Sequence, residues 1–436
     1  MALITKAVRG TRDVLPGESH VMRYLEQAGL ETARNFGYRE IRTPVFEHTE
    51  LFERGVGDTT DVVQKEMYTF FDKSGRSITL RPEGTAGAAR ACMEHGLLGD
   101  ALPCKVSYIV KNYRYEKPQA GRYREHSQFG VECFGAATPA ADAELIALAA
   151  EFFSALSLTD YRIELNSIGC PQCRKVYLEA LRAYFSSKTD ELCTTCNDRL
   201  EKNPMRILDC KSPVCGLYAA KAPVMIEYLC GDCRAHFEGV QALLRAMDIP
   251  FTINPRVVRG LDYYTRTVVE FVSEVSDLNG LVLGGGGRYD GLIEELGGPH
   301  TPSLGFGLGL ERILMQLRAL EAPLPEEEPC ALYIASMGEA ALEEAAQLAS
   351  EVRAEDLSAQ FDVAGRSLKA QMKYADKLGA RYTMVLGDEE MQTRRAKLKN
   401  MLTGAEEPVA LGDFAEQFER MLLRLAQEEL QACFNE

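Results

Sequence analysis

The chain has 436 residues, 46% of them hydrophobic and 26% charged, with a formal net charge of −15. That length allows two or three domains with cores of their own, and the composition excludes a disordered or fibrous chain. The acidic balance argues against a globally basic nucleic-acid binder, while the absence of an apolar run of ~18 residues or of a secretion signal in MALITKAVRG points to a cytoplasmic protein with no membrane partner.

Residues 18–38 carry helical apolar spacing (Val21, Tyr24, Leu25, Ala28, Leu30, Ala33) that stops at Gly37. A strand is expected over 39–46, and Pro44 within it, unable to donate to a ladder, belongs at an edge or an interface. Strands over 68–72 and 77–85 and a helix over 86–95 follow. Residues 111–135 then read as a hairpin. Alternation puts Asn112, Arg114 and Glu116 on one face and Tyr113 and Tyr115 on the other. Across the loop Gln128, Gly130 and Glu132 share a face, opposite Phe129, Val131 and Cys133. The loop adds Lys117, Arg122 and Arg124, which suits an anionic ligand; a solvated face of an antiparallel sheet fits the same pattern.

A helix over 140–156 comes next. The stretch 170–240 is cysteine-rich and helical and interrupts the sheet domain. Strands resume over 262–272 and 281–283, and a glycine-rich turn and helix lead to SLGFGLGLERILMQL at 303–317. The proline-rich, acidic segment 319–329 reads as a linker. Beyond it, strands over 331–335, 358–363 and 382–386 alternate with helices near 339–354, 367–378 and 412–430, the pattern of a small α/β domain.

Arg81, Arg114, Arg122, Arg259 and Arg312 lie near turns and strand ends. Together they would neutralise a triphosphate; singly, each is equally at home in solvent. Gly284–Gly287 lacks the Gly-Lys-Ser/Thr of a P-loop, and Gly305, Gly307 and Gly309 lack dinucleotide-binding spacing. Close backbone packing, or a floor beneath a flat ligand, is the simpler meaning. Tyr264 in LDYYTRT and Tyr289 in GGRYDGL are either hydroxyl donors to a small polar substrate or core tyrosines.

Eight of the 13 cysteines form four close pairs: Cys170/Cys173, Cys193/Cys196, Cys210/Cys215 and Cys230/Cys233. In a reducing compartment this spacing favours thiolate metal sites, with Zn²⁺ the expected ion, over disulfides; reduced pairs without metal, or an iron–sulfur cluster, fit the same spacing. Joined in sequence order, the first four would make one site and the last four another; interleaved sites, or a single site with spare thiols, fit as well. Residues 366–399 carry nine basic side chains (Arg366, Lys369, Lys373, Lys377, Arg381, Arg394, Arg395, Lys397, Lys399) against four acidic ones. That local reversal of charge suits an RNA backbone, or a solvated helix face.

In family order, the strings VRGTRDVLPGE, EIRTPVFE, TLRPEGTAG, YRYEKPQAGRYRE, QFGVE, LNSIG, VVRGLDYYTRT, GGGGRYDGL and GFGLGLER resemble the histidyl-tRNA synthetases, a class II aminoacyl-tRNA synthetase family. The resemblance covers essentially the whole chain. It implies an α+β fold: a catalytic domain over 1–325 with a six-stranded antiparallel sheet flanked by helices, a helical insertion domain over 170–240, and a C-terminal α/β anticodon-binding domain over 330–436. It also implies a homodimer whose interface uses the first helix and the Pro44 strand, with L-histidine, ATP, Mg²⁺ and histidine tRNA as ligands.

Residue by residue, the resemblance implies that Arg114 and Arg259 grip the α-phosphate, and that Arg122 and Arg312 hold the β- and γ-phosphates with Mg²⁺. Glu116 reads the adenine amino group. Glu83, Thr85 and Gln128 hold the substrate α-amino group, Glu132 and Tyr264 bond the two imidazole nitrogens, and Tyr289 lines the pocket. Lys117 and Gln119 meet the end of the tRNA. Two departures stand out: His126 occupies the position where the family commonly has an aromatic ring against adenine, and the cysteine pairs are absent from many members. The alternative within the same fold is a synthetase-like regulatory subunit of ATP phosphoribosyltransferase, which typically lacks the C-terminal domain and the phosphate-gripping residues. A cysteine-based redox or metal-storage protein would explain the thiols alone.

Overall fold

Six long strands make the central sheet. In spatial order they are Cys104–Tyr113, Glu125–Phe134, Ser303–Gly309, Val282–Arg288, Thr265–Ser273 and Tyr161–Ser167, every neighbouring pair antiparallel. Two-residue strands, Arg39–Glu40 and Thr252–Ile253, add to the two edges in parallel. The computed structural model describes residues 5–57, 60, 62–99, 101–208, 210, 212–257 and 263–434. The chain falls into two compact units, Met1–Pro325 and Glu326–Glu436.

One face of the large sheet is covered by helices Ser19–Asn35, Pro139–Ala155, Gly231–Ala246 and Leu310–Ala319, whose Leu25, Phe152, Phe153, Val240, Leu244 and Ile313 bury against Phe129, Phe271 and Phe306. That apolar side matches the alternation of the hairpin strands, in which Phe129, Val131 and Cys133 point into this core. The opposite side carries a second buried cluster, in which Val106, Tyr108, Val110 and Val268 pack with Ala88, Ala89 and Cys92, and it is on this side that the polar Asn112, Gln128 and Glu132 lie.

The strand expected over 39–46 is two strands. Arg39–Glu40 pairs at the edge of the large sheet, and Phe46–His48 is the edge of a separate three-stranded sheet with Ser77–Leu80 and Tyr68–Phe71. Pro44 lies in the break, where the carbonyls of Thr43 and Pro44 accept from Arg81 Nη1 at 2.9 and 3.1 Å. The strand expected over 77–85 ends at Leu80, because Pro82 interrupts the ladder and Glu83 caps the helix Thr85–Glu94.

The glycine strings are close packing. Cβ atoms at Gly284 and Gly286 would overlap the carbonyls of Gly307 and Gly305 on the neighbouring strand. The cysteine-rich segment leaves the sheet after Tyr161–Ser167 and returns beside it at Thr252–Ile253. Its helices are Pro171–Ser186, Thr194–Lys202, Pro213–Ala219 and Gly231–Ala246.

In the second unit the strands run in the order Ala359–Phe361, Leu332–Ser336, Tyr382–Leu386, Arg395–Asn400 and Glu406–Ala410, the first three parallel and the last two added antiparallel. The last two strands were not expected. Within the basic segment Arg395 and Lys397 are exposed while Ala396 and Leu398 are buried, a period of two that a count of charges conceals. Several of these cations are paired: Arg366 with Asp362 at 2.8 Å, Arg394 with Glu344 at 2.7 Å and Lys397 with Glu406 at 3.4 Å. Among the described residues no helix is long and apolar enough to cross a membrane.

Candidate active site

The hairpin register sets the site. Asn112 lies opposite His126, Val110 opposite Gln128, Tyr108 opposite Gly130 and Val106 opposite Glu132. All of these residues therefore share the face opposite the covering helices, and the polar ones among them form a row that runs from the hairpin loop into the middle of the sheet.

The loop end of that row is a cavity of about 180 Å³, lined by Arg114, Glu116, Arg122, His126, Gln128 and Arg312 among others. Arg114 is aimed by its Nε, which donates to the carbonyl of Pro82 at 2.7 Å. Arg312 is held from the helix Leu310–Ala319 by donating to the carbonyls of Gly121 and Val282 at 2.8 and 2.6 Å. Glu116 sits between two guanidiniums, 3.3 Å from Arg122 and 4.0 Å from Arg114. Burial, with Arg114, Arg312 and Lys111 nearby, pulls the His126 pKa down to about 3, so its ring is neutral at physiological pH. Three cations and a neutral ring around one cavity suit a polyphosphate joined to a flat base.

The inner end of the row centres on Glu132, which is fully buried. Its Oε1 accepts from Tyr108 OH at 2.6 Å and Thr85 Oγ1 at 2.8 Å, and its Oε2 accepts from Tyr289 OH. Burial raises its pKa well above the usual carboxylate range. Glu83 lies beside it, accepting from the backbone N–H groups of Thr85 and Ala86 at 2.7 and 2.8 Å, and burial raises its pKa also. The rings of Tyr263, Tyr264 and Tyr289 pack on one another with centroids 4.7 to 6.3 Å apart. Gly305 and Gly307 form the floor: a Cβ there would overlap Glu132 and Tyr289 in the first case and Gln128 in the second. Between the two ends, Gln128 Oε1 accepts from Asn112 Nδ2. Both oxygens of the buried Glu132 carboxyl group thus have hydroxyl partners, at the end of the row away from the arginines.

The structure thus gathers Glu83, Thr85, Arg114, Glu116, Arg122, His126, Gln128, Glu132, Tyr264, Tyr289 and Arg312 along one face. Thr85 stands at the Glu132 end, bonded to that carboxylate. Lys117 and Gln119 are exposed at the hairpin tip, where Gln119 and Arg122 exchange backbone hydrogen bonds of 3.2 and 2.9 Å. Arg259 lies outside the described residues. Arg81 is not part of the cavity: it is buried and spent on the carbonyls of Lys111, Thr43 and Pro44. Sequence reasoning missed Tyr108 and Tyr263. Tyr108 carried a signal, since the alternation that groups Asn112 with Arg114 extends back to position 108. Tyr263 carried none, as neighbours in YY point different ways in a strand and the turn here brings both inward.

The eight cysteines form two groups, Cys170/Cys173/Cys230/Cys233 and Cys193/Cys196/Cys210/Cys215, with all sulfurs of a group within 4.8 Å of one another. The pairing is nested, not in sequence order, because the inserted segment leaves and rejoins the sheet at the same edge and so brings its first and last pairs together. Cys170, Cys193 and Cys230 each begin a helix. Sulfur–sulfur distances of 3.6 Å (Cys170–Cys173) and 3.9 Å (Cys193–Cys210) match the roughly 3.8 Å edge of a tetrahedron with ~2.3 Å Zn–S bonds. Burial opposes ionisation of Cys170, but hydrogen bonds from the backbone and thiols of its turn outweigh it and bring the thiol to about 7.

The family profile for histidyl-tRNA synthetase matches residues 10–313, and that for an anticodon binding domain matches residues 331–421. The histidine–tRNA ligase of Acetivibrio thermocellus is 51% identical over 409 residues, 94% of this chain and 98% of that protein. The histidine–tRNA ligase of Caldanaerobacter subterraneus subsp. tengcongensis is 50% identical over 411 residues, again 94% and 98%. Among solved structures, apo histidyl-tRNA synthetase of S. aureus is similar with a TM-score of 0.82 at 39% identity, over 95% of this chain and all (100%) of that one. A Bacillus halodurans structure described as an ATP phosphoribosyltransferase regulatory subunit/histidyl-tRNA synthetase has a TM-score of 0.63 at 22% identity, over 89% and 99%. At that identity the likeness concerns the fold alone. With the profile spanning the central sheet, and relatives half identical over nearly the full length, the chain belongs to the histidyl-tRNA synthetase family.

Proposed function

We propose that this chain ligates L-histidine to histidine tRNA in two steps at the hairpin face. A carboxylate oxygen of histidine attacks the α-phosphorus of ATP, the bond to the β-phosphate oxygen breaks, and pyrophosphate leaves. A terminal ribose hydroxyl of the tRNA then attacks the acyl carbon of the adenylate and AMP leaves. The observation that supports this most is the single row of side chains, with an arginine-lined cavity at one end and the buried Glu132 at the other. It holds two substrates of opposite character in line.

Positioning and charge stabilisation carry such chemistry. Arg114, aimed by Pro82, faces the α-phosphate and the attacking carboxylate, and Arg259 takes the role of a second cation. Arg122 and Arg312 hold the outer phosphates, and Mg²⁺ arriving with ATP screens their charge. Glu116 accepts from the adenine amino group while the neutral His126 packs on the base. Glu83 and Gln128 receive the α-amino group. Glu132 and Tyr264 select the imidazole, with Thr85 and Tyr289 holding the carboxylate in place. Lys117 and Gln119, exposed at the hairpin tip, meet the tRNA end.

The domain reading follows from the same proposal: a catalytic domain over 1–325, a cysteine-rich insertion within 170–240 that holds structural Zn²⁺ in its thiolate groups, and an anticodon-binding domain over 330–436. We further propose a cytoplasmic homodimer. The three-stranded sheet beside Pro44 leaves Phe46 and Phe71 56% and 74% exposed, apolar area that a second copy would cover. The regulatory-subunit reading is weaker, because the cavity keeps its arginines and the second unit is a full α/β domain. The test is exchange of labelled pyrophosphate into ATP without tRNA. Exchange with histidine and with no other amino acid is expected; histidine binding without exchange would favour the regulatory reading.

A further inference from the structure

The two thiolate groups differ in what they touch. Helix Pro171–Ser186 starts at Cys170, and one turn along, Arg174 donates its backbone N–H to the carbonyl of Cys170 at 2.9 Å and its guanidinium to the carbonyl of Tyr264. Just before Cys170, the chain is tied to the strand that follows Tyr264: Arg266 N–H donates to Gly169 at 2.8 Å, and Ile168 N–H donates to Arg266 at 2.7 Å. Helix Gly231–Ala246 starts at Cys230, and on its second turn the buried His236 bonds Asp142 at 3.2 Å. Asp142 also takes the fully buried Arg288, the residue next to Tyr289. The opening turns of both helices that spring from the outer group are therefore tied toward the tyrosines around Glu132, one directly through Arg174 and the other through His236, Asp142 and Arg288. Cysteines of both groups (Cys173, Cys233, Cys196, Cys215) share one buried cluster with Tyr263, Tyr264 and Tyr289, so the groups differ in their hydrogen bonds and not in their packing. The hydrogen bonds of the inner group, by contrast, stay local: Cys193 N–H to Cys215 Sγ at 3.3 Å and Ser212 N–H to Cys210 Sγ at 3.5 Å.

We propose that the outer thiolate group, Cys170/Cys173/Cys230/Cys233, is a metal site that positions the amino-acid pocket, with Arg174 as the positioning residue, while the inner group only stiffens the inserted module. A metal there fixes the starting points of two helices, and those helices fix the carbonyl of Tyr264 and the environment of Arg288. The inference rests on reading the Glu132 pocket as the histidine site. Its chemistry is soft: four thiolates in a tetrahedron select Zn²⁺ over hard divalent ions.

Two double variants separate the groups: Cys170→Ser with Cys230→Ser, and Cys193→Ser with Cys210→Ser. All four of these cysteines are half-buried, and at Cys170, Cys193 and Cys230, which begin helices, serine is itself a good cap. Wild-type protein purified with Zn²⁺ under reducing conditions should hold two metals per chain and each double variant one. The outer variant should lose amide protection at Arg266, read by hydrogen exchange with no substrate present, and should raise the KM for histidine about tenfold beyond the inner variant with the KM for ATP unmoved. Arg174→Met, which leaves every thiol in place, should raise the histidine KM while retaining both metals, and Arg174→Lys should recover part of it. One metal or none in the wild type, equal effects of the two double variants, or an unchanged histidine KM in Arg174→Met would each overturn the proposal. Wild-type protein that fails to exchange pyrophosphate with histidine would count against the pocket assignment instead, since metal content and amide protection are read without histidine.

Discussion

Burial governs the two titratable side chains that matter most. Glu132 is fully buried and partnered by hydroxyls, and on the proposed reading an analogue lacking a ring nitrogen would leave a buried polar group unpaired. Glu132→Gln should therefore cost roughly 10²–10⁴ in kcat/KM for histidine and leave the KM for ATP within a few-fold; equal losses for both substrates would refute the assignment. His126 titrates in the opposite sense. It stays neutral down to about pH 3, whereas an unfolded histidine protonates near 6.5. The unfolded state thus binds the extra proton as pH falls below 6.5, and this group erodes stability by about 1.4 kcal/mol per pH unit between there and about 3, with nothing lost above. His126→Gln should show a flatter fall of urea midpoint between pH 7 and pH 5 than wild type; parallel curves would show that the ring is not shielded. Much of this residue-level chemistry was legible, because strand alternation alone grouped Gln128 with Glu132 and Asn112 with Arg114. The fate of Arg81 was not, since no sequence pattern tells a guanidinium aimed at solvent or phosphate from one consumed by three backbone carbonyls.

At the scale of the element, the glycine-rich strands are what let the carboxylate exist where it does. Gly305 lies opposite Glu132 in the sheet, and a methyl group there would overlap Glu132, Tyr289 and the backbone carbonyl of Val131. At Gly307 the obstacle is the end of the Gln128 side chain, which can swing aside. Gly305→Ala should then cost about 1–3 kcal/mol in denaturant unfolding and abolish histidine activation. Gly307→Ala should lose less than about 1 kcal/mol while still weakening histidine binding, as Gln128 is pushed from its place. If both variants lost the same stability, the floor would be a matter of sheet packing alone. Strands with a clean period of two were readable in advance. Arg395–Asn400 was not, since its outward residues belong to a run of charge that suggested a helix face or an RNA contact, and Glu406–Ala410 was not, since it is a short edge strand interrupted by Pro408. Pro44 was expected within an edge strand; it lies instead in no strand, in the break between the edge strands of two sheets, which a strand rule applied to one segment does not foresee.

At the scale of the whole molecule, separate buried clusters serve the two units. A chain ending at Pro325 should fold and retain histidine-dependent pyrophosphate exchange within a few-fold of the full chain, while its charging of tRNA falls by well over an order of magnitude. Exchange and charging falling together would mean that the second unit supports the adenylate step. The class of the second unit was readable because strands and helices alternate in its sequence. The cysteine pairing was not: short loops favour sequence order, and only the shared edge at which the inserted segment leaves and rejoins the sheet reverses that preference.

That nesting also dictates an order of assembly. The inner group joins cysteines 22 residues apart, Cys193 and Cys215, whereas the outer group must bring together Cys173 and Cys230, 57 apart. Closing the longer loop costs about 0.8 kcal/mol more in chain entropy, and its last ligands leave the ribosome after every ligand of the inner group. With metal in both groups as proposed, a growing chain can load the inner group first, and the outer one closes only once the inserted module is complete. If Arg174 and His236 hang from that closure as proposed, the proposed amino-acid pocket is tightened last. A chain with a damaged insert would bind nucleotide before it could discriminate what to activate.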